Sequence, residues 1–313
     1  MNFDLYRECR LCPRNCGVNR VEGKLGCCRE SATCRISSIG PHFGEEPSFT
    51  GTRGSGTIFF SGCSSGCFFC QNYQISIEHL GRLLSPEELL GEARALVRQG
   101  VHNLNFVTPD HFWPHILHVC RELRREGIAI PFLFNSSGYQ RPDLVDSYAE
   151  VIDIFMPDFK FALPEVAKQC MGDPRYPEIA VSALRKMVEL KGFLDPWDPM
   201  GQEPARRGVL VRHLILPGHA DNSVAVLKLL RHEFGKLLPL SVMSQFHPTP
   251  ACYERGELAR PITPDEHRQI HDLVLELDFR HVYLQTLAHD IDFLPDFQKK
   301  EPFSGNIRRP GNA

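Results

Sequence analysis

Three cysteines spaced Cys-x3-Cys-x2-Cys stand directly behind a short apolar run, and this feature constrains the chain more than any other. The cysteines are Cys63, Cys67 and Cys70, and the apolar run covers residues 57–60. Thiolates are the ligands of iron–sulfur clusters, and a [4Fe–4S] cube takes four of them. Three ligands on one tight loop leave one iron without a protein ligand, which is the mark of a reactive metal centre. We therefore predict a strand followed by a [4Fe–4S] loop, with a zinc knuckle as the alternative.

Six more cysteines precede this loop. Cys9, Cys12 and Cys16 have the spacing of a metal knuckle, and a fourth ligand is expected from the adjacent pair Cys27 and Cys28. Side chains of adjacent residues diverge, so only one of the pair is expected to bind. A second [4Fe–4S] cluster and Zn²⁺ both fit four thiolates, and the metal stays open. Because so short a segment has little core of its own, metal binding is expected to contribute to its folding.

Composition excludes several classes of protein. Apolar residues make up 42% and charged residues 23% of the 313 residues, as in an ordinary globular protein. The net charge of −3 gives no reason to expect a protein that binds nucleic acid or an anionic membrane surface. No apolar run is long enough to span a membrane, and the N-terminus lacks the apolar stretch of a signal peptide. We therefore predict a cytoplasmic protein whose cysteines bind metal rather than form disulfides.

From residue 57 the chain alternates strands with helices, which is typical of a parallel α/β sheet. Strands are predicted at 57–61, 102–107, 130–134, 152–156, 209–216, 240–243 and 281–286. Helices are predicted at 85–99, 111–126, 142–150, 175–192, 221–234 and 264–277. The six or seven βα units predict an α/β fold, a partial (βα)6 TIM-like barrel preceded by a small cysteine-rich metal-binding module. We divide the chain into the module at 1–50, the barrel at 51–290 and a mobile, solvated tail at 291–313. Cys252 is expected in a loop.

Several motifs resemble the pyruvate formate-lyase activating enzyme-like branch of the radical S-adenosylmethionine (SAM) superfamily. Besides the cysteine loop, they are Cys-x2-Cys-Pro-Arg-x-Cys from Cys9, Gly-x2-Gly-x-Cys ending at Cys28, His-Phe-Gly-Glu-Glu-Pro from His42, and Gly-Ser-Gly-Thr-Ile-Phe-Phe-Ser-Gly-Cys ending at Cys63. The resemblance runs from Cys9 to about Gln285 and favours Cys28 over Cys27 as the fourth ligand. It implies that SAM chelates the open iron, and that one electron from the cluster cleaves SAM to a 5′-deoxyadenosyl radical.

The resemblance also implies cofactor contacts near the cluster and at the ends of the predicted strands. Phe69 stands where the superfamily carries an aromatic residue against the adenine. Asp158-x-Lys160 matches the branch's Asp-x-Lys contact with SAM, since a carboxylate suits a ribose diol and an ammonium suits a carboxylate. A solvated ion pair is the alternative. His213 lies in a Val-Arg-His-x3-Pro-Gly element that favours an inward histidine, with a core histidine as the alternative.

Two further strand ends carry polar residues. Asn135 and Ser136 follow the third strand and offer hydrogen-bonding groups for a cofactor, although a local turn is the alternative. Superfamily members often carry Gly-Gly-Glu after the second strand, where the loop binds the SAM amino group. This chain has Thr108 and Asp110 in that stretch, so Asp110 or the backbone alone would make the contact.

These features predict a radical SAM oxidoreductase with no assigned catalytic residue beyond the cluster. Resemblance to activating enzymes implies a protein or peptide substrate and a flavodoxin- or ferredoxin-type electron donor. The mouth of the barrel is expected at the Pro-rich loop 194–208 and the turn carrying Gln245 and His247. No further charged cluster is evident that would clamp a small molecule, and no role follows for the Glu45–Glu46 pair. The alternatives are a two-cluster electron-transfer protein without SAM chemistry, a radical SAM enzyme acting on a small molecule, and a zinc-stabilised binding module.

Overall fold

The structure is a computed structural model and describes residues 3–287 and 294–303. The strands are β1 (Cys34–His42), β2 (Ser55–Phe60), β3 (Arg82–Leu84), β4 (Leu104–Val107), β5 (Phe132–Ser136), β6 (Ile154–Pro157), β7 (Gly208–Val209), β8 (Val211–Leu214), β9 (Leu240–Met243) and β10 (Val282–Leu284). The helices are α1 (Pro47–Thr50), α2 (Tyr73–Ser76), α3 (Pro86–Arg98), α4 (Trp113–Arg125), α5 (Val145–Ala149), α6 (Pro164–Met171), α7 (Tyr176–Lys191), α8 (Ala220–Phe234), α9 (Pro250–Arg255) and α10 (Pro264–Glu276).

The frame of the fold is a run of parallel strands that pair in chain order. β2, β4, β5, β6 and β7 are neighbours in one sheet, and β8, β9 and β10 form a second one. A break at Leu210 separates β7 from β8, and a parallel bridge between Asp158 and Arg212 joins β8 to the end of β6. Residues after β2 and residues of β10 line the same cavity, so the strands curl toward each other. The predicted α/β partial barrel is confirmed.

Helices follow the parallel strands and cover the outside of the barrel. β2, β4 and β6 are buried along their whole length, as expected of parallel strands covered on both faces. The predicted start of α3 is confirmed: Ser85 and Glu88 form a capping box that satisfies two free backbone N–H groups. Among the described residues, no helix combines the length and apolar character needed to cross a bilayer.

The first fifty residues join the barrel through β1. This strand runs antiparallel to β2, and β3 extends the sheet on its other side. Residues of the N-terminal segment, Tyr6 and Leu11 among them, belong to the main hydrophobic core. The N-terminal segment is thus packed on the edge of the barrel that carries the cysteine loop. The boundary near residue 50 between a separate module and the barrel stays a prediction.

Two predictions about the rest of the chain are wrong. Cys252 does not lie in a loop but in α9, where it is fully buried; α9 has only six residues, too few for a helical period to show. The tail is not a solvated end over 294–303, because Phe297 and Phe303 pack on Phe59 with ring centroids 5.5 and 5.4 Å away. Residues 291–293 and 304–313 of that segment lie outside the described residues.

Candidate active site

A cavity of about 630 Å³ opens at the carboxyl ends of the parallel strands, where parallel barrels place their chemistry. Nine residues that the sequence predicts at the site line it. They are Cys63, Cys67, Phe69, Cys70, Thr108, Asn135, Ser136, Asp158 and Lys160. The fold therefore brings together residues that lie up to 97 positions apart in the chain, and it does so at the ends of four neighbouring strands.

The cysteine loop is folded tightly after β2. The backbone N–H of Ser65 points at the Cys63 sulfur with a distance of 3.4 Å between N and Sγ, so the loop supplies a donor for a thiolate. Gly66 takes the left-handed conformation at φ +63° that completes the turn. The Ser65 hydroxyl donates to the hydroxyl of Ser137 beyond β5, with 2.7 Å between the oxygens. These contacts fix the loop against the neighbouring strand end.

The electrostatics of the loop suit metal-bound thiolates. Burial raises the pKa of the Cys67 thiol, and the Lys160 ammonium opposes that shift. Burial lowers the pKa of Lys160, but the charges of Asp158 and Cys67 outweigh it and raise that pKa above its usual range. Lys160 is therefore a permanent cation between a carboxylate and a predicted cluster ligand, with its Nζ 2.5 Å from Asp158 Oδ2.

The donor set fits a [4Fe–4S] cube. Cys63, Cys67 and Cys70 face one cavity and are free thiols. Among the described residues, no three His, Cys, Asp or Glu side chains converge closely enough to hold a single metal ion. A cube spreads its thiolates over different irons, so its ligands need to surround a volume and not one point. The three cysteines and the open cavity beside them meet that requirement.

The Asp158–Lys160 segment is held in place by the loop after β5. The Lys160 N–H donates to the Tyr176 hydroxyl at 2.9 Å, and that hydroxyl lies 2.9 Å from the carbonyl oxygen of Ser137. Gly138, at φ +74°, packs against the backbone of Asp158: a Cβ on Gly138 would lie 1.9 Å from the Asp158 carbonyl oxygen. Only glycine fits this close approach.

The stretch after β4 differs from its predicted role. Thr108 lines the cavity in the left-handed region at φ +56°, which is costly for a β-branched residue and is typical of strained functional sites. Asp110 does not line the cavity: it is fully buried and accepts a hydrogen bond from the Gln140 amide. Burial raises its pKa to about 6. The prediction that Asp110 faces the cofactor site is wrong, and Thr108 is the residue of this stretch that lines the cavity.

The side chain of His213 also points in a direction other than the predicted one. Its side chain turns out of the barrel toward α8, where Nε2 lies 2.9 Å from Ser223 Oγ and Nδ1 lies 2.7 Å from the Phe159 carbonyl oxygen. Burial lowers its pKa to about 4, so the ring is neutral. The expectation of an inward histidine is wrong because alternation along β8 gives the inward place to Arg212, which lines the cavity.

Arg212 forms a buried ion cluster that the sequence did not reveal. Its Nε donates to Glu46 Oε1 at 2.8 Å, and its Nη2 contacts the carboxylates of both Glu45 and Glu46. The three side chains are 12%, 7% and 8% exposed and all line the cavity. Burial raises the pKa of Glu45, but the Arg212 charge outweighs it and the pKa is lowered. Two carboxylates and one guanidinium thus give this wall of the cavity an excess negative charge.

The mouth of the cavity is only partly where the sequence placed it. Gln245 and His247 line the cavity as expected, and Phe303 joins them from the C-terminal segment. No residue of 194–208 does so. That loop packs instead on α1, where the Ala205 N–H donates to the Ser48 carbonyl oxygen at 2.8 Å. The predicted role of the Pro-rich loop at the mouth is wrong, because its apolar residues cover a satellite core.

The four predicted N-terminal ligands lie in one region. A Cβ on Gly26 would lie 3.2 Å from Cys16 Sγ and 3.6 Å from Cys28 Sγ, and the charges of Cys9, Cys12 and Cys28 act on one another. Burial raises the pKa of Cys12 to about 12 and that of Cys28 to about 11. Cys28 is buried while its neighbour Cys27 is exposed. These facts favour Cys28 in the ligand set. Among the described residues these cysteines, too, do not converge on the one point that a single Zn²⁺ ion would need, so the metal at this site stays a prediction.

Comparison with known proteins adds one sequence relative and several distant structures. The chain is 26% identical over 288 residues to the uncharacterized protein MJ0674 of Methanocaldococcus jannaschii, covering 90% of this chain and 78% of that one. It is similar to Streptococcus suis SuiB bound to S-adenosylmethionine, with a TM-score of 0.49 and 8% identity over 74% of this chain and 50% of that one. It is also similar to HydG, a maturase of the [FeFe]-hydrogenase, with a TM-score of 0.48 and 15% identity over 77% and 54% of the two chains. The chain thus spans about half the length of these two structures.

The family model of the radical SAM superfamily matches residues 57–230. The match begins in β2, includes the three-cysteine loop and extends through most of α8, so it covers more than half of the chain. The chain therefore belongs to the radical SAM superfamily, whose enzymes bind a [4Fe–4S] cluster and SAM.

Proposed function

We propose that this protein is a radical SAM enzyme of the activating-enzyme-like branch, which cleaves SAM reductively and abstracts hydrogen from a protein or peptide. The observation that carries the proposal is the three-cysteine loop in one cavity with the half-buried Asp158–Lys160 pair. Cys63, Cys67 and Cys70 would hold the cluster, which supplies the electron that cleaves SAM. Lys160 and Asp158 would bind the carboxylate and the ribose of SAM, and Phe69 would pack on the adenine.

The protein's own contribution is positioning and exclusion of water. Phe69 is buried and packs edge-on to Phe161, with ring centroids 6.3 Å apart, which gives the cavity a dry apolar wall. Thr108, Asn135 and Ser136 add short polar groups at the neighbouring strand ends. A radical formed here would be kept from solvent by the barrel wall.

The construction of the mouth supports a peptide substrate. Part of the cavity lining comes from segments outside the regular strands and helices of the barrel. These segments are the turn of Gln245 and His247, and the C-terminal segment that contributes Phe303. Loops of this kind can lie along an extended chain, whereas a closed pocket suits a small molecule. The expected substrate is therefore a glycine-bearing loop of a partner enzyme.

The ion cluster favours a second candidate function, a radical SAM enzyme that acts on a small molecule. Glu45, Glu46 and Arg212 supply the charged group on the cavity wall that a small polar substrate needs for orientation. A volume of about 630 Å³ is also within the range of small-molecule sites.

Three further features complete the proposal. A second metal centre, either a [4Fe–4S] cluster or Zn²⁺, would be held by Cys9, Cys12, Cys16 and Cys28. The electron would come from a flavodoxin- or ferredoxin-type donor. A reducing cytoplasm is the compartment that suits an oxygen-sensitive cluster and free thiols.

The test separates the two substrates. The reduced enzyme and SAM are incubated with glycyl radical enzymes from the same cell, and the mixture is examined by EPR. A stable doublet on the partner protein supports an activating enzyme. Deuterium transfer from a labelled metabolite into 5′-deoxyadenosine, without a protein radical, would instead establish the small-molecule function.

A further inference from the structure

Arg20 is a buried cation that has no carboxylate partner in the part of the chain that the structure describes. The side chain is fully buried, and its guanidinium carbon lies 4.6 Å from the ring centroid of Tyr6 and 5.2 Å from that of Phe112. Within residues 3–287 and 294–303, no Asp or Glu forms an ion pair with it. Burying a charge is strongly unfavourable unless an opposite charge accompanies it. The position of Arg20 therefore calls for an anion.

Neutral groups occupy most of its hydrogen bonds. Nε and Nη2 donate to the Ser31 carbonyl oxygen at 3.1 and 2.7 Å, and Nη1 donates to that of His111. These carbonyls satisfy the N–H groups but carry no net charge. Nη1 also lies 3.7 Å from Cys9 Sγ, and Cys28 acts on the same guanidinium. The sulfur atoms of Cys9 and Cys28 are thus the groups beside Arg20 that become anionic when they bind a metal.

We propose that Arg20 is the counter-cation of the metal centre held by Cys9, Cys12, Cys16 and Cys28. The inference rests on the second metal site proposed above and adds a statement about how the negative charge of that site is balanced. Four thiolates leave either Zn²⁺ or an oxidised [4Fe–4S] cube with a net negative charge, and Arg20 is the buried cation that offsets part of it. Arg20 thereby holds the metal in place. For an iron–sulfur centre it also stabilises the more negative reduced state and raises the reduction potential.

Arg20 also stands between the two cysteine sites. His111, whose carbonyl accepts from Arg20, donates through Nε2 to the Ser61 carbonyl oxygen at 2.7 Å. Ser61 lies two residues before Cys63 of the catalytic loop. The same guanidinium that contacts the Cys9 sulfur therefore braces the catalytic loop through a single histidine.

The experiment uses the full chain with Cys63, Cys67 and Cys70 replaced by alanine, so that metal is retained at the N-terminal site alone. Each protein is loaded anaerobically with iron and sulfide or with Zn²⁺, and affinity is measured by competition with a chelator. Arg20→Met removes the guanidinium and its charge, keeps an unbranched apolar chain, and is expected to weaken metal binding at least about tenfold. Arg20→Lys keeps the charge and is expected to stay within about threefold of the parent.

Arg124→Met is the matched control. Arg124 also stacks on an aromatic ring, with its guanidinium carbon 3.8 Å from the Phe132 centroid, but it pairs with Asp153, and the cysteine it acts on is Cys120, which is not a predicted metal ligand. Its loss should leave metal affinity unchanged. If an iron–sulfur centre forms, its midpoint potential should fall in Arg20→Met and not in Arg124→Met.

The outcomes separate the inference from the site on which it rests. A parent protein that retains no metal would overturn the second site and the inference together. A parent that retains metal, with Arg20→Met of equal affinity, would overturn the inference and leave the site standing. If Arg20→Met does not fold, Arg20→Lys decides: a loss of tenfold or more would show that hydrogen-bond geometry and not charge is what the centre requires.

Discussion

Replacement of Gly138 by alanine should damage both the stability of the fold and the binding of SAM. The added Cβ would lie 1.9 Å from the Asp158 carbonyl oxygen and 2.8 Å from the Tyr176 hydroxyl, so the strand ends of β5 and β6 must separate. Overpacking of this kind costs about 1–3 kcal/mol. The backbone at φ +74° adds about 1–2 kcal/mol for any residue with a Cβ. The free energy of unfolding is therefore expected to fall by roughly 2–5 kcal/mol.

Gly127→Ala is a matched control that isolates the clash. Gly127 has nearly the same backbone conformation, at φ +78°, but a Cβ there would meet no atom within 4 Å. Its substitution carries the conformational cost of about 1–2 kcal/mol alone. The reduced entropy of the unfolded chain applies to both variants and cancels in the comparison.

Two assays compare Gly138→Ala with Gly127→Ala. Urea unfolding of both variants measures the difference in stability, and calorimetric titration of the anaerobic, reconstituted proteins with SAM measures affinity. Gly138→Ala should be the less stable variant by about 1–3 kcal/mol and should lose SAM affinity, because Asp158 and Lys160 move with the backbone. Equal destabilisation of the two variants, or wild-type SAM affinity in Gly138→Ala, would refute this reasoning.

Three other substitutions test separate parts of the site. Gly26→Ala places a methyl 3.2 Å from a predicted ligand sulfur and should lower N-terminal metal content in elemental analysis, whereas Gly40→Ala, with open space around it, should not. Lys160→Met should weaken SAM binding in titrations about ten- to hundredfold, since a charged hydrogen bond contributes about 1.5–3 kcal/mol; unchanged affinity would remove Lys160 from the SAM site. Arg212→Met leaves the Glu45 carboxylate buried without its cation and should cost roughly 3–5 kcal/mol at pH 7. In the wild type the Arg212 charge lowers the pKa of Glu45, so the stabilising contribution of Glu45 is present above its unfolded pKa and is lost on acidification. In Arg212→Met burial acts without its largest opposing charge, and the pKa of Glu45 should rise. Urea unfolding should therefore show a smaller loss at pH 5 than at pH 7, and equal losses would contradict the ion cluster.

Local chemistry made the catalytic part of the site predictable. The spacing of Cys63, Cys67 and Cys70 is a property of one loop, and Asp158 and Lys160 stand two residues apart on one extended segment. Strand ends in a parallel sheet meet at one edge, so the sequence could place these groups together without knowing the packing of the helices. Long helices with caps, such as α3 after Ser85, were predictable for the same reason.

Features that depend on distant partners could not be predicted. Glu45 and Glu46 precede the barrel and meet Arg212 only because β1 lies beside β2. Alternation along a strand lets only one of Arg212 and His213 face inward, but which of the two does so depends on the exact register of β8. Asp110 is drawn into the core by Gln140, thirty residues away, and no local pattern signals such a pairing.

Cleavage of SAM by the reduced protein tests the central claim most directly. The wild type and Cys67→Ala are reconstituted anaerobically, their iron and sulfide are counted, and each is incubated with SAM and dithionite. We expect the wild type to form 5′-deoxyadenosine, and Cys67→Ala to lose the iron and sulfide of one [4Fe–4S] cluster together with all 5′-deoxyadenosine. Formation of 5′-deoxyadenosine by Cys67→Ala, or none by a wild type that carries its full iron, would contradict the account.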